Sequence, residues 1–148
     1  LGGDLGLSQE SNSEENSGPE LAIGEKADYE NAQNALIEER FEDSLILFER
    51  FLENYPDSPL SASVIIARGN AYEGLGEIKK AARAYLNSFS LYEDSPVAPE
   101  ALTLLGNALV SLGQTDAGCQ TLAQVLMRFP DSDFNLEAEK MMSELQCP

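Results

Sequence analysis

Three side-chain amides recur at a fixed interval in this sequence and are its best candidates for recognition chemistry. Gln33, Asn70 and Asn107 follow one another 37 residues apart. A side-chain amide offers both donors and an acceptor, so a row of amides can hold the backbone of an extended peptide or a turn. The simpler interpretation is that these are ordinary polar residues that bind nothing.

Neighbours on the same predicted helix faces extend this candidate site. Residues three or four apart in a helix are neighbours on its surface. Applied to each amide, that spacing predicts a groove for a partner segment, lined by Tyr29, Gln33, Ile66, Asn70, Glu73, Thr103, Asn107 and Val110.

Catalytic and metal-binding patterns are weak in comparison. Histidine is absent, which removes the usual general base and the commonest zinc ligand. Carboxylate pairs such as Glu38 with Glu39 arise by chance among 26 acidic residues, and Asp131-Ser132-Asp133 lacks the other ligands of a calcium loop. We therefore predict a protein that is not an enzyme and that needs no metal or cofactor.

Two cysteines, Cys119 and Cys147, are too few for a zinc site made of cysteines alone, which leaves free thiols or one disulfide. Cys119 lies early in a predicted helix and Cys147 follows the antiparallel last helix, so the two sulfurs can meet. We predict the disulfide, which would place the protein outside the reducing cytosol. The alternative is a buried free Cys119 and an exposed free Cys147.

The overall charge narrows the classes of partner. With 26 Asp and Glu against 9 Lys and Arg, the formal net charge is −17, which repels nucleic acid and anionic membrane surfaces. Apolar runs such as Val64-Ile65-Ile66-Ala67 are far shorter than the roughly 18 residues of a spanning helix. We expect a protein partner, no nucleic acid and no membrane insertion. We also expect a mature or truncated piece whose targeting signal is not part of this sequence.

The elements that position these residues follow from one repeated phrase. It occurs as Tyr55-Pro56-Asp57-Ser58-Pro59, Tyr92-Glu93-Asp94-Ser95-Pro96 and Phe129-Pro130-Asp131-Ser132-Asp133, again 37 residues apart. A fixed period of this length indicates a stacked repeat array. Serine followed by proline predicts a helix N-cap and first helical position at Ser58-Pro59 and Ser95-Pro96.

These signals predict an all-α fold: a tetratricopeptide-like right-handed superhelix of three helix pairs plus a C-terminal capping helix. The predicted repeats span 25–58, 59–95 and 96–132, the capping helix spans 133–146, and together they form one domain over 25–148. Small residues where paired helices touch, such as Gly69 with Ala81 and Gly106 with Gly118, predict close helix approach. The polar, acidic residues 1–24 are predicted to be a flexible linker.

The repeat region resembles a known bacterial family. The resemblance rests on Tyr55-Pro56-Asp57-Ser58-Pro59, on the Gly-Asn-Ala triplets at 69–71 and 106–108 with their following Leu-Gly pairs, on Ser111-Leu112-Gly113-Gln114, and on the end near Leu145-Gln146-Cys147. Together they are similar to the C-terminal repeat domain of the Tol-Pal system periplasmic proteins called YbgF or cell division coordinator CpoB. The match covers about residues 25–148.

The resemblance implies a function as well as a fold. It implies a periplasmic scaffold that binds TolA, with a peptidoglycan synthase as a further candidate partner, and that coordinates peptidoglycan synthesis with outer-membrane constriction in cell division. It also implies a homotrimer through a coiled coil outside this sequence, a removed signal peptide, and a monomer for the present residues. The alternative is an outer-membrane assembly subunit resembling BamD, since that family uses a similar closing phrase.

The sequence departs from the repeat pattern at three positions. Glu39 replaces the usual turn glycine, Arg68 stands where the repeat prefers leucine, as at Leu105, and Glu93 replaces the repeat-ending proline. Proline lacks an amide donor and blocks continuation of a helix. With Glu93 in its place, we expect the second helix of the second pair to end less sharply than the second helices of the other two pairs.

Overall fold

The structure is a computed structural model and describes residues 21–148. Residues 1–20, which make up most of the predicted linker, lie outside the described residues. Within residues 21–148 the chain forms seven helices and no strands: α1 Glu25–Ile37, α2 Phe41–Asn54, α3 Ser61–Gly74, α4 Ile78–Leu91, α5 Ala98–Ser111, α6 Thr115–Arg128 and α7 Asn135–Glu144.

The predicted all-α repeat architecture is confirmed. Each helix packs against the next one in the chain, and α1 also contacts α3. We call α1, α3 and α5 the first helices of their pairs and α2, α4 and α6 the second helices. The last helix, α7, packs against α6.

One large side chain fills the centre of each helix pair. Phe48, Tyr85 and Leu122 occupy the same position of α2, α4 and α6 and have no exposed surface. Each inserts among alanines and glycines of the first helix. A β-carbon at Gly69 would overlap the Tyr85 ring, which is why this position of α3 requires glycine.

The turn inside each pair closes every first helix in the same way. Gly76 and Gly113 adopt the left-handed conformation, with φ of 75° and 80°, and the following amide donates back to a carbonyl of the helix. This is a Schellman ending, for which glycine is the preferred residue. Glu39 takes the same conformation, with φ of 59°, so the missing glycine does not change the turn.

The serines of the repeated phrase, Ser58 and Ser95 among them, lie in a turn before each helix and not at its N-cap. Ser58 Oγ accepts the Leu60 amide at 3.0 Å, and the Ser58 carbonyl accepts the Ser61 amide at 3.1 Å. The same contacts recur at Ser95 and Ser132. These bonds form a turn that precedes the helix, so α3 begins at Ser61 rather than at Pro59, and the prediction of a helix N-cap at Ser58 was wrong.

Glu93 does not alter how α4, the second helix of the second pair, ends. α4 ends at Leu91, and Tyr92 has φ of −135° and ψ of 54°, against −129° and 63° at Tyr55 and −130° and 62° at Phe129. The backbone therefore turns in the same way at all three junctions, and the expected less sharp ending is absent. Glu93 instead lies 3.8 Å from the guanidinium of Arg128.

Candidate partner-binding face

The three amides lie at one position of the three first helices. Gln33 is in α1, Asn70 in α3 and Asn107 in α5, and all three side chains are half-buried. We call the surface formed by these positions and their neighbours the inner face. The Gln33 amide donates to the Tyr29 hydroxyl one turn away, which leaves the Gln33 carbonyl oxygen as its acceptor for a partner.

Asn70 is fixed by a buried tyrosine of the paired helix. The Tyr85 hydroxyl donates to Asn70 Oδ1 at 2.8 Å. Burial raises the pKa of Tyr85, and the nearby Glu73 carboxylate raises it further. The hydroxyl therefore stays protonated and continues to donate. This bond leaves the Asn70 amide hydrogens for other acceptors.

Within the described residues, Asn107 lacks the hydrogen bond that Tyr85 gives to Asn70. Leu122 stands where α4 has Tyr85, and an aliphatic side chain cannot donate. As a result Asn107 Oδ1 is buried with no hydrogen-bond partner within residues 21–148. A buried acceptor without a donor costs roughly 1–3 kcal/mol. Because this oxygen is enclosed, only the amide N–H groups of Asn107 remain accessible to a partner.

Two of the predicted groove residues, Ile66 and Thr103, do not offer surface to a partner, and a third, Val110, is half-buried. Ile66 is 3% exposed and packs in the main core, and Thr103 has no exposure because its hydroxyl donates to the Pro99 carbonyl at 2.8 Å. Val110 packs against Gly118 of the paired helix. Helical spacing alone could not show how closely the neighbouring helices cover these side chains.

Carboxylates outside the predicted groove also belong to the inner face. Burial and the nearby Glu137 of α7 raise the pKa of Glu100, and both Glu73 and Glu100 lie close enough to Tyr85 to affect its pKa. Glu100 is two helical turns before Asn107, a spacing that could have identified it. The face thus combines amide groups with negative charge, which favours a partner rich in N–H donors and positive charge.

Removing the Tyr85 hydroxyl tests how strongly this face is held in place. Tyr85→Phe is expected to lower the free energy of unfolding by about 1 kcal/mol, since it removes one hydrogen bond and leaves Asn70 Oδ1 without its donor. Urea unfolding followed by circular dichroism measures this. Tyr92→Phe is the matched control, because the Tyr92 hydroxyl makes no hydrogen bond within residues 21–148. Equal losses in the two variants would contradict a structural role for the bond.

The two cysteines form the predicted disulfide. Cys119 of α6 and Cys147, which follows α7, are bonded with their α-carbons 5.6 Å apart. The bond joins the last helix to the third pair.

The described part of the chain holds no candidate metal site and no candidate membrane span. Among residues 21–148 there is no group of three or more His, Cys, Asp or Glu side chains arranged to hold a metal ion. No helix in the same range is long and apolar enough to cross a membrane.

The comparison with protein families identifies the repeat. Residues 100–132, which include most of α5 and all of α6, match the family described as tetratricopeptide repeat. No curated protein matches the chain. The helical pairs and this match define the class: a tetratricopeptide-like helical repeat, and tetratricopeptide repeats are protein-interaction scaffolds that are generally not enzymes.

Proposed function

We propose that this protein is a non-enzymatic scaffold that holds a segment of a partner protein against the inner face. The match to the tetratricopeptide repeat supports protein binding as the general activity. Asn70 and Asn107 would hold the backbone of the bound segment, and Glu73 and Glu100 would attract its positive charges. Gln33 and Tyr29 extend the same face toward the first pair.

One observation carries this proposal. Asn107 Oδ1 is a buried acceptor without a donor within the described residues, whereas the equivalent atom of Asn70 is satisfied by Tyr85. Buried polar atoms in proteins are nearly always paired. Because this oxygen is enclosed, the half-buried Asn107 side chain presents its amide N–H groups to solvent, and a backbone carbonyl of a bound segment can accept from them.

The disulfide supports a location in an oxidising compartment. Disulfides persist in the periplasm and other oxidising environments and are rare in the bacterial cytosol. Together with the resemblance of the repeated phrases to YbgF and CpoB, the Cys119–Cys147 bond favours the periplasm of a Gram-negative bacterium. We propose that the partner is TolA and that the complex acts in the Tol-Pal system during cell division.

Calorimetric titration with the soluble part of TolA tests both the proposed partner and the proposed binding face. Replacing Asn70 and Asn107 together with alanine is expected to weaken binding by about 10- to 100-fold, since each amide contributes up to roughly 1.5 kcal/mol. Gln124→Ala is the matched control, because Gln124 is an exposed amide on the second helix α6. This variant should bind TolA with the affinity of the wild type.

The outcomes separate the site from the partner. If TolA binds and the double variant binds equally well, the partner is right and the inner face is not the site. If TolA does not bind at all, the Tol-Pal assignment fails. A double variant that has lost its helical circular dichroism signal would be replaced by Asn107→Asp. This variant keeps the side-chain shape but removes the amide N–H donors, so it is expected to weaken binding if those groups donate to the bound segment.

A further inference from the structure

A basic pocket lies on the opposite side of α3 from the inner face amides. It has a volume of about 260 Å³ and lies between α3 and α4. We call it the outer pocket, and its polar lining consists of Arg68, Tyr72, Lys80, Arg83 and Asn87. Arg68 and Asn70 are two residues apart, and residues at that spacing do not share a helix face.

The positive charge of the outer pocket stands out in this chain. Between Ser61 and Leu91 there are four Lys and Arg residues and only two Glu, whereas the whole chain has 9 against 26. Among the described residues that line the pocket there is no carboxylate. Of its cations, only Lys80 pairs with an acid within residues 21–148, namely Glu77 at 3.2 Å, and both side chains are largely exposed.

Arg68 is the residue of the pocket best suited to bind an anion. Its Nε atom is buried and has no hydrogen-bond partner within residues 21–148. The guanidinium presents several N–H groups in a fixed plane, which matches the two oxygens of a carboxylate. Because Nε itself is enclosed, an anion in the pocket would bind the Nη groups of the Arg68 guanidinium.

Repeat packing does not require these cations. The positions equivalent to Arg68 are Asn31 and Leu105, and those equivalent to Arg83 are Ile46 and Gln120. Leu105 is buried at 8% exposure, so an aliphatic residue fills this position in the third pair. The second pair therefore carries charge where the fold accepts apolar or neutral residues.

We propose that the outer pocket binds a carboxylate side chain from an acidic segment of a protein partner. Arg68 and Arg83 would donate to the carboxylate oxygens, the Asn87 amide would add a neutral donor, and the Tyr72 ring would cover the methylene groups. We choose a carboxylate because a planar guanidinium can donate to both of its oxygens at once, whereas a polyanion such as nucleic acid would be repelled by the net charge of −17.

This site is independent of the inner face and of any particular partner there. The inner face carries carboxylates and suits donors, while the outer pocket carries donors and suits carboxylates. A partner segment with both signs of charge, or two different partners, could occupy the two sites of the second pair at the same time.

Nuclear magnetic resonance of ¹⁵N-labelled protein tests the proposal with acetylated triglutamate amide as the probe. The Arg68 Nε–Hε signal is expected to shift as the peptide is added, since a carboxylate bound at the adjacent Nη groups changes the shielding of that proton. Arg68→Leu, which introduces the residue found at Leu105 of the third pair, and Arg83→Gln, which introduces the residue found at Gln120, are each expected to weaken binding about tenfold.

Two controls distinguish the pocket from general attraction. Arg50→Gln removes a cation of α2 that does not line the pocket and should leave affinity unchanged, and the acetylated triglutamine amide should not shift the Arg68 signal. Equal weakening by Arg50→Gln, or an unshifted Arg68 signal at saturating peptide, would overturn the proposal. A shift with inorganic phosphate and none with triglutamate would overturn the choice of carboxylate.

Discussion

Reduction of the Cys119–Cys147 disulfide is expected to lower the free energy of unfolding by about 3–4 kcal/mol. The bond closes a loop between residues 28 apart in sequence, and removing that constraint frees chain entropy in the unfolded state by about this amount. The effect is large for a domain whose total stability is about 5–15 kcal/mol. Urea unfolding followed by circular dichroism, with and without a phosphine reductant, measures it.

The loss should begin at the C-terminal end. Within α7 only Ala138 is fully buried, while Met141, Met142 and the C-cap residue Leu145 are partly buried. Amide exchange of α7 is therefore expected to accelerate more than that of α3 when the bond is reduced. A Cys119→Ala/Cys147→Ala variant should lose similar stability and be insensitive to reductant. Unchanged stability on reduction of the wild type would contradict this role.

The arrangement of helices was predictable because it depends on periodicity. One phrase repeated every 37 residues, and small residues at fixed offsets within each repeat, predicted three pairs and a final helix, and the structure confirms them. The start of α3 was less predictable. Ser58 can cap a helix or close a turn before it, and the choice depends on where the Ser61 amide finds its acceptor.

The inner face was predictable only in outline. Spacing identified the row of Gln33, Asn70 and Asn107, but the state of each amide depends on the residue that the paired helix brings to it. Tyr85 satisfies Asn70, and Leu122 leaves Asn107 Oδ1 unpaired. Tyr85 and Asn70 lie 15 positions apart and meet across a helix–helix interface, and periodicity along one helix carries no information about such contacts.

Only one residue of the outer pocket could be singled out from the sequence. Arg68 is visible in the sequence as a departure from the leucine of the repeat, yet nothing in the linear pattern shows that Arg83 and Lys80 of α4 line the same cavity. A residue that departs from a repeat pattern becomes informative only when its neighbours from the adjoining helix are known.

Gly118→Ala is expected to lower the free energy of unfolding by about 2 kcal/mol. A β-carbon at this position of α6 would come within 2.5 Å of Val110 Cγ2 and 3.0 Å of the Gly106 carbonyl oxygen. The contact with a backbone oxygen cannot be relieved by a rotamer change, so α5 and α6 must move apart. Overpacking of this kind typically costs about 1–3 kcal/mol.

The sign of the effect separates crowding from helix propensity. Alanine is a better helix former than glycine by roughly 1 kcal/mol, so an uncrowded site would be stabilised by the same substitution. In a Val110→Ala background, Gly118→Ala should lower the free energy of unfolding by less than it does in the wild type, because the methyl contact is removed while the carbonyl contact remains. Urea unfolding measures both losses. The third pair is where this matters, since it alone pairs glycine with glycine, whereas the first pair uses Ala32 with Ser44. Increased stability of the single variant would mean that the two helices can separate at little cost.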